Sequence, residues 1–78
     1  MKLSLYYSPW CPFCVRVVNA LKRMSVKVEL RDTGDRDYLL QLKSGGGKTQ
    51  VPCLLIDNDG QQQWLYESDD IITYLKAL

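Results

Sequence analysis

The stretch YYSPWCPFCV, residues 6–15, decides how the chain is read, because it joins the end of a strand to the start of a helix and sets two cysteines at the junction. Upstream, residues 3–7, LSLYY, alternate in part and are rich in strand formers. Ser8-Pro9-Trp10 breaks that strand. Cys11 then falls at an N-cap with Pro12 at N1, where the fixed φ and missing N–H of proline are tolerated. Downstream, CVRVVNALKRM puts Cys14, Val17, Val18, Leu21 and Met24 on one helical stripe, with Arg16, Asn19, Lys22 and Arg23 largely outside it.

This placement makes the two cysteines unequal. The unpaired N–H groups and dipole of a first helical turn stabilise a thiolate on Cys11, lowering its pKa from a free value of about 8.5. The thiolate is the form that attacks disulfides. Cys14 follows nearly one turn later, within reach of Cys11, on the apolar stripe that shields it. A structural disulfide is disfavoured, because so small a ring restricts the unfolded chain little. Zinc normally takes four protein ligands, and the chain has no histidine and only Cys53 to add. An iron–sulfur cluster shared between two chains stays compatible, since its remaining ligands would come from outside. Redox exchange uses both cysteines in distinct roles.

Composition narrows the setting. Seventy-eight residues with 46% hydrophobic content make one small domain, residues 1–78. Ten basic and nine acidic residues leave a net charge of +1, which gives no reason to expect nucleic acid or an anionic membrane as partner. MKLSLYYSPW lacks the apolar run of a signal peptide, and no segment approaches membrane-spanning length. Three cysteines fit a reducing cytoplasm better than a secreted disulfide scaffold.

The rest of the chain supplies the remaining elements. Residues 26–31, VKVELR, alternate with period two and form a second strand, parallel to the first across the helix. Asp35 caps a short helix, RDYLLQLK, ending near Lys43, and Ser44–Gly47 is expected to be a flexible loop. In TQVPCLLID, Pro52 stands at the start of a strand running through Cys53–Ile56. Asn58-Asp59-Gly60 is a hairpin turn, and Gln62–Tyr66 returns antiparallel. Ser68 is expected to cap the last helix, DDIITYLKAL, whose first turn holds Asp69 and Asp70. Cys53 reads as a buried small hydrophobe, and Tyr6, Trp64 and Tyr74 as core or sheet-face aromatics. The expected architecture is α/β, in the order β-α-β-α-β-β-α, with a four-stranded mixed sheet flanked by three helices.

With CPFC at a helix start, TQVP before the third strand and SDD opening the last helix, the chain resembles the glutaredoxins of the thioredoxin-fold superfamily. The resemblance implies a glutathione-dependent thiol–disulfide oxidoreductase acting on disulfide-containing or glutathionylated proteins; a cytoplasmic monomer is expected. It implies Cys11 as nucleophile, Cys14 as resolving thiol, a cis Val51–Pro52 bond that turns the Val51 backbone to the site, and Ser68 and Asp69 at the γ-glutamyl end. Glutathione serves as reductant and co-substrate, and no metal is expected. Two departures stand out: Ser8 occupies a place where many glutaredoxins carry lysine, and Tyr66-Glu67 replaces a pair of glycines. Lys48, Arg16 and Gln50 are the candidates to replace that lysine. Tyr66–Ile72, YESDDII, is instead similar to the glutathione-binding stretch of the glutathione transferase N-terminal domain, in which the Glu-Ser pair, here Glu67 and Ser68, contacts the γ-glutamyl group. The resemblances thus leave two further readings, a glutathione-ligated iron–sulfur carrier and a stand-alone transferase-like binding module.

Overall fold

A computed structural model describes residues 1–78. In it β1 (Lys2–Tyr7), α1 (Pro12–Leu21), β2 (Glu29–Asp32), α2 (Arg36–Gly46), β3 (Cys53–Asn58), β4 (Gln61–Tyr66) and α3 (Ser68–Lys76) follow one another in the expected order. The sheet runs β2-β1-β3-β4. β1 pairs with β2 in parallel and with β3 antiparallel, and the Asn58–Gln61 hairpin sets β4 antiparallel to β3.

Strand alternation divides the core between the two faces of the sheet. Leu3, Leu5, Leu54 and Ile56 point to one face and join Val17 of α1 with Ile71 and Leu75 of α3. Tyr6, Cys53 and Leu55 point to the other and meet Leu42 of α2. Register locks this division: Leu5 opposes Leu54 and Leu3 opposes Ile56, so a slip of one residue would send the apolar side chains to the wrong helices.

Apart from shifts of one or two residues at strand ends and at the end of α3, the element boundaries differ from the expected ones at four places. The first helix ends at Leu21 rather than Met24, and Arg23 and Met24 continue it only as turns bonded to the Ala20 and Leu21 carbonyls. The second strand begins at Glu29 rather than Val26; Val26 and Val28 pack against the core, but the ladder with β1 starts at the Ser4–Glu29 pair. Residues 44–46 are helical, and α2 stops only at Gly47, whose φ of 89° provides the left-handed cap. Gly45 and Gly46 serve close approach, since a Cβ on Gly45 would overlap the Trp64 ring and one on Gly46 the Tyr66 hydroxyl. Finally, Glu67 and not Ser68 is the N-cap of α3. It holds φ 76°, ψ 118° and offers its carbonyl to the Ile71 N–H, while Ser68 is buried as the first helical residue.

Candidate functional site

The strand-to-helix turn builds the thiol centre. Cys11 is the N-cap of α1 in extended backbone (φ −94°, ψ 118°), with Pro12 at the first helical position. The Cys11 N–H bonds the Ser8 carbonyl at 3.2 Å and the Cys11 carbonyl receives the Val15 N–H at 3.0 Å, which fixes the sulfur at the mouth of the helix. Burial pushes the Cys11 pKa up, but hydrogen bonds from the Cys14 backbone N–H, the Cys14 thiol and the Phe13 backbone N–H outweigh it, and the net shift is downward. Cys14 behaves in the opposite way. Its side chain is fully buried, and burial, with the nearby Cys11 sulfur, pushes its pKa up to about 12 despite a backbone hydrogen bond from Ser8. The pair therefore holds one sulfur poised to ionise beside one that keeps its proton.

A second segment brings the backbone to this centre. The Val51–Pro52 peptide bond is cis, as the resemblance implied, and the Val51 carbonyl stands 4.0 Å from Cys11 Sγ. Beside it opens a cleft of about 570 Å³ lined by Phe13, Arg16, Gln50, Val51, Pro52, Glu67, Ser68, Asp69 and Asp70. Val51, Pro52, Glu67, Ser68 and Asp69, drawn from separate parts of the chain, thus share one cavity next to Cys11. Its acidic side follows from the start of α3, where Asp69 and Asp70 fall in the first turn.

Of the three candidates for the donor missing at Ser8, Arg16 and Gln50 line this cleft. Arg16 pairs with Asp69 across the α1–α3 boundary at 2.6 Å, and Gln50 Nε2 donates to Glu67 Oε1 at 3.4 Å. Lys48 does not line it; its ammonium lies 4.5 Å from the centre of the Tyr66 ring, where Tyr66 also bonds the Lys48 carbonyl. Ser8 is occupied locally, accepting the Trp10 N–H on its hydroxyl at 3.3 Å. Sequence reasoning gave Asp70 only a dipole role and set no bridge between Arg16 and Asp69. Their separation of 53 residues carries no pattern that would have revealed it.

The chain belongs to the glutathione S-transferase N-terminal-domain family, which it matches over residues 5–78. No curated protein matches it. Among solved structures, Leishmania TDR1, described as a unique trimeric glutathione transferase, is 30% identical over 96% of this chain and 17% of its own, with a TM-score of 0.77. The thioredoxin-like protein BC3987, solved as a point mutant, is 26% identical over 96% of this chain and 99% of its own, with a TM-score of 0.73. A maleylacetoacetate isomerase from Anaeromyxobacter dehalogenans, solved with bound GSH in its active site, is 25% identical over 97% of this chain and 37% of its own, with a TM-score of 0.61. The chain therefore spans a minor part of the TDR1 and isomerase chains and nearly all of the thioredoxin-like one. Of the two resemblances carried by the sequence, the match bears out the transferase one within the thioredoxin-like fold and does not single out the glutaredoxins.

Proposed function

We propose that the chain is a glutathione-dependent thiol–disulfide oxidoreductase of the dithiol glutaredoxin type. The observation that carries this reading is the inequality of two sulfurs at one helix start: Cys11 half-exposed with its pKa lowered, Cys14 buried with its pKa raised. In the first step the Cys11 thiolate attacks the glutathionyl sulfur of a protein–glutathione mixed disulfide. The protein leaves as its thiolate and takes up a proton, and Cys11 carries the glutathionyl group. A glutathione thiolate then attacks that sulfur, releasing oxidised glutathione and restoring Cys11. Alternatively Cys14 loses its proton and attacks Cys11 Sγ, expelling glutathione and closing a Cys11–Cys14 disulfide, which two further glutathiones reduce.

The cleft suits glutathione chemically. The N–H groups at the start of α3, at Ser68 and Asp69, favour the γ-glutamyl carboxylate. Asp69 and Glu67 offer negative charge to its ammonium, and the Val51 backbone lies beside Cys11 to pair with the cysteinyl residue; Arg16 and Gln50, bonded to Asp69 and Glu67, stand at that same γ-glutamyl end. The isomerase with bound GSH supports this choice of ligand. The test is turnover of a glutathionylated peptide by the parent chain and by Cys11→Ser. Loss of turnover in the variant is expected, and equal rates would remove the assignment. A second reading, that the chain supplies the glutathione-binding part of a conjugating transferase, is favoured by the family match. Conjugation of glutathione to an aryl halide that survives Cys11→Ser would establish it instead.

A further inference from the structure

A groove of about 480 Å³ between α1 and α3 leads away from the candidate cleft, lined by Arg16, Ala20, Arg23, Met24, Ile72 and Lys76. Arg16 lines both cavities, so the groove continues from the cleft. Arg16 and Ala20 share one stripe of α1, the turn after it brings Arg23 and Met24 to the same groove, and Ile72 and Lys76 share a stripe of α3. In a chain with ten basic and nine acidic residues, this lining collects three cations and no acid. Arg16 is held by Asp69 on the cleft side, whereas Arg23 and Lys76 form no ion pair. Between the cations lies a half-buried apolar floor of Ala20, Met24 and Ile72.

We infer that this groove docks the protein substrate through an extended acidic segment flanking the substrate's own reactive cysteine. The inference rests on the oxidoreductase reading and names the partner chemistry it selects. Charge complementarity decides the occupant: a segment alternating Asp or Glu with aliphatic residues meets both the cations and the apolar floor. A nucleic acid backbone would find only three cations and leave that floor uncovered. Helix rise puts Arg16 about 7.5 Å along α1 from Cys11, and the C-cap Lys22 about 9 Å beyond it, with Arg23 in the turn that follows. An extended chain advances about 3.3 Å per residue. The acidic run therefore begins two or three residues from the substrate cysteine and continues for about three more. Chemistry at the sulfur is unchanged: Cys11 takes the glutathionyl group and the docked segment leaves as its thiolate.

The test uses the whole 78-residue chain. Two glutathionylated peptides are compared, identical except that one carries Glu and the other Gln at the third and fifth residues from the cysteine, which share one face of an extended chain. The acidic peptide is expected to show kcat/KM about fivefold to tenfold higher at low salt, an advantage that shrinks as salt screens the groove. Arg23→Gln combined with Lys76→Gln changes two exposed side chains. It should abolish the preference while leaving turnover of a glutathionylated small thiol at the parent rate. NMR shifts from the acidic peptide, with its cysteine replaced by serine, should fall on Ala20, Met24 and Ile72. Equal kcat/KM for both peptides, a preference that survives in the double variant, or the same shifts from an oligonucleotide or from raising the protein concentration would each overturn the inference. If the small glutathionylated thiol is not turned over either, the oxidoreductase reading falls, and the docking inference with it.

Discussion

Cys14 and Cys53 are both fully buried, yet they lie on opposite faces of one sheet and have unlike neighbours. Burial pushes the pKa of each up, to about 12 and about 11. Cys14 faces another sulfur across the start of α1, so its proton is shared with a partner that can use it. Cys53 sits with Tyr6, Leu42 and Leu55, near the Tyr66 hydroxyl and the Lys48 charge, one residue past the Pro52 of the cleft but packed towards α2. Burial alone makes a thiol inert, and what sets Cys14 apart from Cys53 is the ionisable Cys11 sulfur beside it. On the proposed oxidoreductase reading, the face under α1 carries the chemistry and the face under α2 only packs.

The strongest attempt to break this contrast is Cys11→Ser. Serine does not ionise near neutral pH, so turnover of a glutathionylated peptide should fall by about 10³-fold or more. Next, Cys14→Ser should keep deglutathionylation within about threefold of the parent while lowering reduction of a protein disulfide by about tenfold or more. Cys53→Ser should match the parent in both assays, and a loss comparable to that of Cys14→Ser would erase the distinction between the faces. On the packing face, Gly45→Ala should cost about 1–3 kcal/mol in urea unfolding, because the new methyl meets the Trp64 ring.

A pH series sharpens the contrast more gently. The Cys53 thiol resists ionisation in the fold, so the unfolded chain loses its proton first, near the ordinary value of 9.0, and the folded chain only near about 11. Its contribution is whole below pH 9.0 and is lost as pH rises through about 11, so the parent should lose about 1–2 kcal/mol relative to Cys53→Ala by pH 10.5. The smallest effect belongs to Glu67. Its φ of 76° suits glycine, so Glu67→Gly should gain about 0.5–1 kcal/mol of stability while weakening glutathione binding, measured by calorimetry.

What could be read from the sequence was what is decided locally. Cys11 and Pro12 mark the start of α1 because N-cap and N1 preferences act within four residues, and the Asn58–Gly60 turn fixes the β3–β4 hairpin in the same way. The boundaries that shifted are set by distant partners. Glycines oppose a helix, yet α2 runs through Gly45 and Gly46, where Trp64 and Tyr66 leave no room for a side chain. Val26 and Val28 alternate like a strand and pack on the core, but the parallel ladder begins only at the Ser4–Glu29 pair although β1 itself reaches back to Lys2. Within the site, the cysteine pair was legible from spacing, and Val51, Pro52, Glu67, Ser68 and Asp69 from family resemblance. The Arg16–Asp69 bridge depends on how α1 and α3 pack, which no local pattern records.

The isolation of Cys53 makes it a gauge. A thiol with no exposed surface, beneath α2 and across from Tyr66, meets an alkylating reagent only when that layer lifts. With Cys11 and Cys14 replaced, the labelling rate of Cys53, divided by the rate for the unfolded chain, gives the opening free energy of the α2 layer. The remaining cysteine then reports on motion rather than on redox chemistry.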